Sequence, residues 1–162
     1  MRLSDSSEQD AKPVTEIDFY TQVEDRLQVT CQLIHKARAK NLRVLVLLAN
    51  ESALKKLDER LWTFQPQSFI PHCRADDPLA ADTPVLLMCD LNTTPPHDEL
   101  LINLQADPPI QFTRFSRLIE IVSTADKDKA KARERFRFYR DRGFVLRTHD
   151  LSPRPAAKGT SS

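Results

Sequence analysis

Four basic side chains recur on one side of the helical pattern between residues 126 and 142. They are Lys129, Arg133, Arg137 and Arg140. At about 100° per residue these positions share one helix face, and Phe136 lies at its border. An Arg guanidinium offers a planar fork to a carboxylate or phosphate, and an adjacent ring adds apolar contact. The pattern predicts a groove for an anionic ligand, such as an acidic peptide or a terminal carboxylate; the alternative is an ordinary solvated face.

Charge repulsion on this face favours the first interpretation. Like charges one turn apart destabilise a helix by about 0.2–0.5 kcal/mol per pair, so an anion lying between them would relieve the strain. The neighbouring stripe of Ala132, Phe136 and Tyr139 has the i, i+4, i+7 spacing that is typical of a face packed against a sheet. Phe138 is predicted to stand among polar neighbours.

Direct binding of single-stranded nucleic acid by the basic helix 126–142 is the alternative function. Direct DNA binders usually have a pI above about 9 and a recognisable motif. This chain has a pI of 7.8 and an aromatic content of 7%, and it carries no zinc-finger, helix-turn-helix or RNA-recognition pattern. We therefore rank direct nucleic-acid binding below peptide binding.

A second candidate surface follows the helical pattern that ends near residue 62. Trp62, Phe64, Phe69 and Ile70 lie within nine residues around a Pro-containing turn. Exposed Trp and Phe beside such a turn are typical anchors for a protein partner. The alternative is a small satellite core beneath the turn, and composition does not separate the two.

The remaining chemistry-bearing residues do not form a catalytic or metal-binding pattern. Structural zinc ligands occur in close pairs, and the Cys and His residues of this chain show no such spacing. The acidic pairs at 76–77 and 98–99 are typical of solvated turns. We therefore expect no metal and no catalytic site; the competing hypothesis is a thiol enzyme that uses Cys73, Cys89 and His72.

The glycine content bears on cofactors. The chain contains two glycines, Gly143 and Gly159. A Walker A loop needs two glycines ahead of its Lys, and a dinucleotide-binding loop needs three close together. These two glycines cannot supply either motif, so we expect no nucleotide cofactor.

Strand-like and helix-like patterns alternate along the chain. Strands are predicted at 15–20, 42–49, 68–73, 84–91, 100–105 (or a short helical turn) and 144–148, and helices at 22–39, from Asn50 as N-cap to 62, and at 126–142 with Gly143 as its C-terminal stop. Residues 111–122 read as a helix leading into a strand. Such alternation predicts an α/β domain with a mainly parallel sheet.

Charge and composition define the expected organisation. Residues 1–110 carry 11 basic and 17 acidic side chains, whereas residues 111–147 carry 11 and 5, so the anionic partner is expected at the C-terminal part. We predict a flexible lead-in at 1–14, one domain at 15–150 and a disordered tail at 151–162. Three widely spaced cysteines and the lack of an apolar leader favour a cytoplasmic protein.

Two segments resemble the chi subunit family of bacterial DNA polymerase III. They are KLDERLWTFQPQSFIPH at 56–72 and KARERFRFYRDRGFVL at 131–146. The family has a (K/R)LDxxLW segment before SFxPH and ends in an AxERxxxYRxxGFxL-like helix and strand. The resemblance extends more weakly over 15–148. It implies a Rossmann-like α/β domain without a nucleotide-binding loop.

The resemblance implies a non-catalytic, clamp-loader-associated subunit. Members of this family link the replicase to single-stranded DNA-binding protein by holding its acidic C-terminal tail, which ends in an Asp-Phe-Pro-Phe-like sequence. They also pair with the small psi subunit, and a helicase-like protein is a further partner at an overlapping surface. DNA itself would be contacted only indirectly.

Motif by motif, the resemblance also implies site residues. The tail-binding set is Val122, Lys129, Arg133, Phe136 and Arg137, and the psi-facing set is Trp62, Phe69 and Pro71. Arg133 would meet the terminal carboxylate, with Val122 and Phe136 flanking the last Phe. The family has Tyr where this chain has Phe136, so the ring is kept and its hydroxyl is lost. The helical pattern alone had already selected four of the five tail-binding residues.

Overall fold

A single parallel sheet forms the centre of the molecule. The computed structural model describes residues 15–64, 70–90 and 94–152. The strands in this part are β1 (Glu16–Val23), β2 (Val44–Leu47), β3 (His72–Arg74), β4 (Val85–Met88), β5 (Leu100–Asn103), β6 (Arg117–Ser123) and β7 (Leu146–Asp150). Their order is β3-β4-β2-β5-β6-β1-β7, and every pairing is parallel. The prediction of an α/β fold with a mainly parallel sheet is confirmed.

Helices cover both faces of the sheet. Helices α1 (Arg26–Ala39) and α2 (Glu51–Phe64) pack on one face. Helix α3 (Asp126–Asp141) packs on the other, together with single 3₁₀ turns at Ala80–Asp82 and Phe112–Arg114. Because α1 leaves β1 toward the centre of the sheet and α3 leaves β6 toward its edge, α3 crosses over β1 to reach β7.

Local sequence explains where these elements begin and end. The VLVL run of β2 is buried at all four positions, as a strand covered on both faces must be. The side chain of Asn50 accepts a hydrogen bond from the Ala53 amide at 2.9 Å, which confirms it as the N-cap of α2. Gly143 follows α3 with a φ of 88°, a conformation that favours glycine at a helix stop.

Several predicted boundaries were wrong. Helix α1 begins at Arg26 rather than 22, because β1 continues to Val23 and Asp25 caps the helix by accepting from the Gln28 amide. Of the strand predicted at 68–73, residues 68 and 69 lie outside the described residues, and β3 begins at His72, directly after Pro71, because proline has no amide for the ladder. The helix expected ahead of β6 is only one 3₁₀ turn, and β7 lies two residues beyond the predicted 144–148.

Phe138 was also misplaced by the helical pattern. Its ring packs edge-on against Phe112, 6.4 Å between centroids, and Arg142 lies 3.5 Å above it. Tertiary contacts from the 3₁₀ turn therefore cover a side chain that the helix alone would expose. The predicted lead-in at 1–14 and all but the first two residues of the predicted tail lie outside the described residues.

A buried carboxylate joins the edge strand to the rest of the sheet. Asp18 on β1 is fully buried and receives hydrogen bonds from Arg117 on β6 at 3.0 Å, and from Arg147 and His149 on β7 at 2.9 Å each. Burial on its own raises the pKa of Asp18, but the hydrogen bonds from His149, Arg147 and Arg117 outweigh it and hold the pKa below its usual range.

Asp18→Asn should destabilise the fold by about 2 kcal/mol near neutral pH, because three donors lose a charged acceptor. The folded pKa lies below the unfolded value, so the carboxylate stabilises the protein above about pH 4–5, and this contribution is lost as pH falls toward the folded pKa. Urea unfolding at pH 7, 5 and 3.5 should show the wild-type and variant curves converging in acid.

Glu16→Gln is the matched control for this experiment. Glu16 accepts from Arg147 at 2.8 Å but its side chain is 63% exposed, so its loss should cost less than about 0.5 kcal/mol. A wild-type to Asp18→Asn difference that stayed constant over this pH range would contradict the assigned role of the carboxylate.

Gly143→Ala should lower stability by about 1 kcal/mol through backbone strain alone. The added Cβ would meet no atom within 4 Å, so steric overlap with neighbours does not contribute. Gly143→Asn should lose less, because Asn tolerates the left-handed region better. Equal losses for the two variants in thermal unfolding would point to a cause other than φ.

Candidate anion-binding groove

A groove of about 340 Å³ lies beside α3 where β1, β6 and β7 end. Its walls come from all four elements. The lining residues are Phe19, Thr21, Gln22, Val122, Lys129, Ala132, Arg133, Phe136 and Thr148. Ligands of open α/β sheets bind outside the carboxyl ends of the strands, so the position is typical of a binding site.

The floor of the groove is apolar. Phe19 and Val122 project from the sheet and are 2% and 3% exposed, and Ala132 of α3 is equally buried. The half-buried ring of Phe136 meets Phe19 edge-on, with 5.3 Å between ring centroids. An edge-to-face pair of this kind fixes the orientation of Phe136, which leaves an aromatic wall for an apolar group in the groove.

Two cations of α3 line the groove above this floor. Lys129 is half-buried and Arg133 is exposed. Neither has a carboxylate within 4 Å in the described part of the chain. Two cations without such a partner, next to an apolar floor, suit a ligand that carries a carboxylate close to a hydrophobic side chain.

The structure brings together four of the five residues in the predicted tail-binding set. Val122, Lys129, Arg133 and Phe136 all line the groove. Arg137 does not line it, although it is exposed on the same helix. A straight α-helix turns by about 40° more than a full turn in four residues, so the row from Lys129 to Arg137 drifts around the helix and away from the groove. Arg140, further along, pairs with Asp141 at 3.6 Å.

Sequence reasoning missed the residues that other strands contribute. Thr21 and Gln22 are adjacent in β1, and neighbouring side chains of a regular strand point to opposite faces. Gln22 has a φ of 58°, and the pairing of β1 with β6 shifts register between Tyr20 and Val23. This irregularity brings both side chains to the groove. No local sequence pattern predicts this irregularity of β1, and none identifies Thr148 of β7 as a groove residue.

A buried ion pair holds the inner side of α3. Glu120 of β6 is fully buried and accepts from Arg135 Nε at 2.9 Å, from Tyr139 at 2.5 Å and from Asn103 of β5 at 3.0 Å. Arg135, 1% exposed, also donates to the Ala106 carbonyl at 2.8 Å. Burial raises the pKa of Glu120, and the charge of Arg135 opposes that rise.

The beginning of α3 is tied to the end of β6. Asp128, in the first turn, accepts from the Ser123 amide at 2.8 Å, and the Ser123 hydroxyl accepts from the Ala125 amide at 3.3 Å. Arg26 of α1 approaches Asp128 at 4.0 Å. These contacts fix the start of the helix close to the groove, because Lys129 is the next residue.

Two of the predicted psi-facing residues, Trp62 and Pro71, are exposed and do not line the groove. Trp62 is 58% exposed near the end of α2, with its ring edge-on to His72 at 5.6 Å between centroids. The indole is therefore not enclosed in a satellite core. Pro71 directly precedes His72 in the chain, and Phe69 lies outside the described residues. Phe64, in contrast, packs partly against the core and 5.0 Å from the ring of His35.

Two of the three thiols have a pKa that disfavours nucleophilic chemistry. Burial raises the pKa of Cys31 to about 11 and, helped by Glu51, raises that of Cys89. A cysteine needs a lowered pKa to supply thiolate at neutral pH. The small cavity that contains Cys89 is lined by Glu51 and Arg74 and not by Cys73 or His72. Cys89 therefore does not share this cavity with the other two residues of the thiol-enzyme hypothesis.

Residues 15–64, 70–90 and 94–152 contain no group of three or more His, Cys, Asp or Glu side chains with the arrangement of a metal site. None of the helices in these ranges is both long enough and apolar enough to span a membrane.

Fold and groove together define a class: a parallel α/β protein with a partly apolar groove bordered by two cations of α3. Comparison with known proteins identifies the family. The family model described as "DNA polymerase III chi subunit, HolC" matches residues 14–147, so the chain belongs to this family. The family resemblance inferred from its motifs is confirmed.

Three curated relatives agree, each described as DNA polymerase III subunit chi. The relative from Pseudomonas aeruginosa is 38% identical over 143 residues, which cover 85% of this chain and 98% of the relative. The Escherichia coli relative is 30% identical over 134 residues, which cover 83% of this chain and 89% of the relative. The Haemophilus influenzae relative is 29% identical over 124 residues, which cover 76% of this chain and 86% of the relative.

Proposed function

We propose that this chain is a non-catalytic accessory subunit that couples the replicase to single-stranded DNA-binding protein by holding that protein's acidic C-terminal tail in the groove. Family membership supports the replicase part of the proposal. The observation that carries the tail-binding part is the groove itself, where Lys129 and Arg133 stand over an apolar floor with no carboxylate of the described residues within 4 Å. The same assignment puts the protein in the bacterial cytoplasm, at the replisome.

The groove suits one chain-terminal residue better than a long ligand. Its volume of about 340 Å³ lies near the lower end of the roughly 300–1,000 Å³ usual for ligand pockets. An aromatic side chain would fill the apolar space between Val122 and Phe136. Its own α-carboxylate would then lie within reach of Arg133, which can bind it through two parallel hydrogen bonds.

Arg137 has a different place in this proposal. It lies one turn beyond Arg133 and outside the groove. It would meet acidic residues that precede the terminal one, through long-range and partly screened attraction. Phe136 would act through its ring alone, because it has no hydroxyl to donate.

The apolar floor favours a peptide over a direct nucleic-acid contact by helix 126–142. The side chains of Phe19, Val122 and Ala132 offer no hydrogen-bond donor to a phosphate. A phosphodiester chain would therefore use only the cations above this floor. Direct nucleic-acid binding would also depend steeply on salt and would need no partner protein.

We further propose that the Trp62 surface binds the psi subunit, and that a helicase-like partner uses an overlapping area. The support is the exposed indole, which contacts the residue directly after the exposed Pro71, since Trp anchors dominate many protein interfaces. This surface shares no residue with the groove lining.

Arg133→Ala should weaken binding of an acidic peptide ending in Asp-Phe-Pro-Phe by about 2–3 kcal/mol, or roughly 30- to 150-fold, because a charge-assisted contact to the carboxylate is lost. Fluorescence anisotropy with the labelled peptide measures this directly. Arg140→Ala is the matched control: it removes a cation of the same helix that already pairs with Asp141, and affinity should change less than about twofold. Unchanged affinity in Arg133→Ala would refute the assigned site.

Trp62→Ala should reduce capture of psi by at least about tenfold while leaving peptide affinity unchanged, because a hot-spot anchor is lost without touching the groove. The side chain is 58% exposed, so its removal should leave the fold intact. Leu79→Ala, which truncates another exposed apolar side chain at 65%, is the control. A Trp62 variant that lost both partners equally would indicate misfolding, and one that kept psi would contradict the interface.

A further inference from the structure

We propose that Glu120 and Arg135 are positioning residues for the groove: their buried pair sets the rotation of α3 and so the placement of Lys129 and Arg133. The proposal rests on the proposed tail-binding function, although its structural part can be tested without a peptide. Neither residue lines the groove.

The contacts of α3 with the sheet make this pair unusual. Its buried residues are Ala132, Arg135 and Tyr139, and the half-buried rings of Phe136 and Phe138 pack beside them. Apolar contact is non-directional, so these groups can repack after a small rotation. Hydrogen bonds weaken steeply away from good geometry. The bonds of Arg135 and Tyr139 to Glu120 therefore restrict the rotation of the helix more sharply than its apolar contacts do.

The pair is fixed from three directions. Glu120 comes from β6 and also accepts from Asn103 of β5, so the carboxylate cannot turn with the helix. Arg135 is held a second time by the Ala106 carbonyl, in the segment after β5. The Asn103 side chain also donates to the Asp107 carbonyl, which ties that segment to the same network.

The positions of Arg133 and Arg135 around α3 explain why a small rotation of the helix would disturb the groove. Arg133 lies two residues before Arg135, about 200° around the helix, so one side chain points outward when the other points into the sheet. With a helix radius of about 5–6 Å including side chains, a rotation of 10° moves the outer side chain by about 1 Å. An error of that size is enough to spoil a bidentate contact with a carboxylate.

The test separates orientation from stability by replacing the network with apolar groups of similar volume. Removing one partner of a buried ion pair destabilises a protein, whereas replacing all partners often does not. The triple variant Glu120→Leu, Arg135→Met, Tyr139→Phe removes the buried carboxylate and its donors on α3, and the Asn103 side chain keeps its hydrogen bonds with the Asp107 carbonyl and the Gln105 amide. We expect its urea midpoint to match or exceed wild type while the dissociation constant for the acidic peptide rises at least tenfold.

Two readouts distinguish positioning from a merely structural role. In the free protein, nuclear Overhauser contacts between the rings of Phe19 and Phe136 should weaken if α3 rotates. In the complex, the slope of log affinity against log salt should fall, because fewer cations reach the peptide. A lower folded fraction alone would change neither the salt slope nor the intensity of the Phe19–Phe136 cross-peak relative to other cross-peaks of the folded protein.

The outcomes are decisive whether or not the tail-binding proposal holds. A folded triple variant with wild-type peptide affinity, or with unchanged Phe19–Phe136 contacts, overturns the positioning role. If wild type itself does not bind the peptide, the proposed function fails, and the ring contacts still decide the positioning role.

If the triple variant does not fold, Arg135→Lys replaces it: Lys keeps the charge but not the fork that reaches both Glu120 and Ala106, and affinity should fall about fivefold. Wild-type affinity in that variant also overturns the proposal.

Discussion

The carboxylate of Glu120 is the constraint on which the arrangement around α3 depends. It lies with no exposed surface at the centre of a parallel sheet, and donors from α3 and β5 satisfy it. A buried charge without such partners would cost several kcal/mol, so the sheet and the helix are held to one mutual geometry.

The same helix gives three arginines three different environments. Arg135 is buried and neutralised, Arg140 pairs with its neighbour Asp141 in solvent, and Arg133 stands over the groove without a carboxylate within 4 Å among the described residues. Residue type alone therefore says little about function on this helix. Of these three, Arg133 is the charge that an anion could approach without displacing an internal partner.

Much of the fold could be predicted from local patterns, since hydrophobic period and capping act over a few residues. The buried run of β2, the cap at Asn50 and the stop at Gly143 are all local effects. Predictions failed where long-range contact decides: Phe138 is covered by Phe112, 26 positions earlier, and β1 extends because β6 and β7 pair with it.

The sequence by itself determined the element types, the family and the cluster of cations around Phe136, because side-chain spacing and motifs are properties of the chain. Only the tertiary structure decided that Phe19, Thr21, Gln22 and Thr148 complete the groove and that Arg137 lies outside it. Thr21 and Thr148 are more than 120 positions apart. They meet because β1 and β7 are adjacent in the sheet, and the order of parallel strands is set by packing rather than by any local pattern.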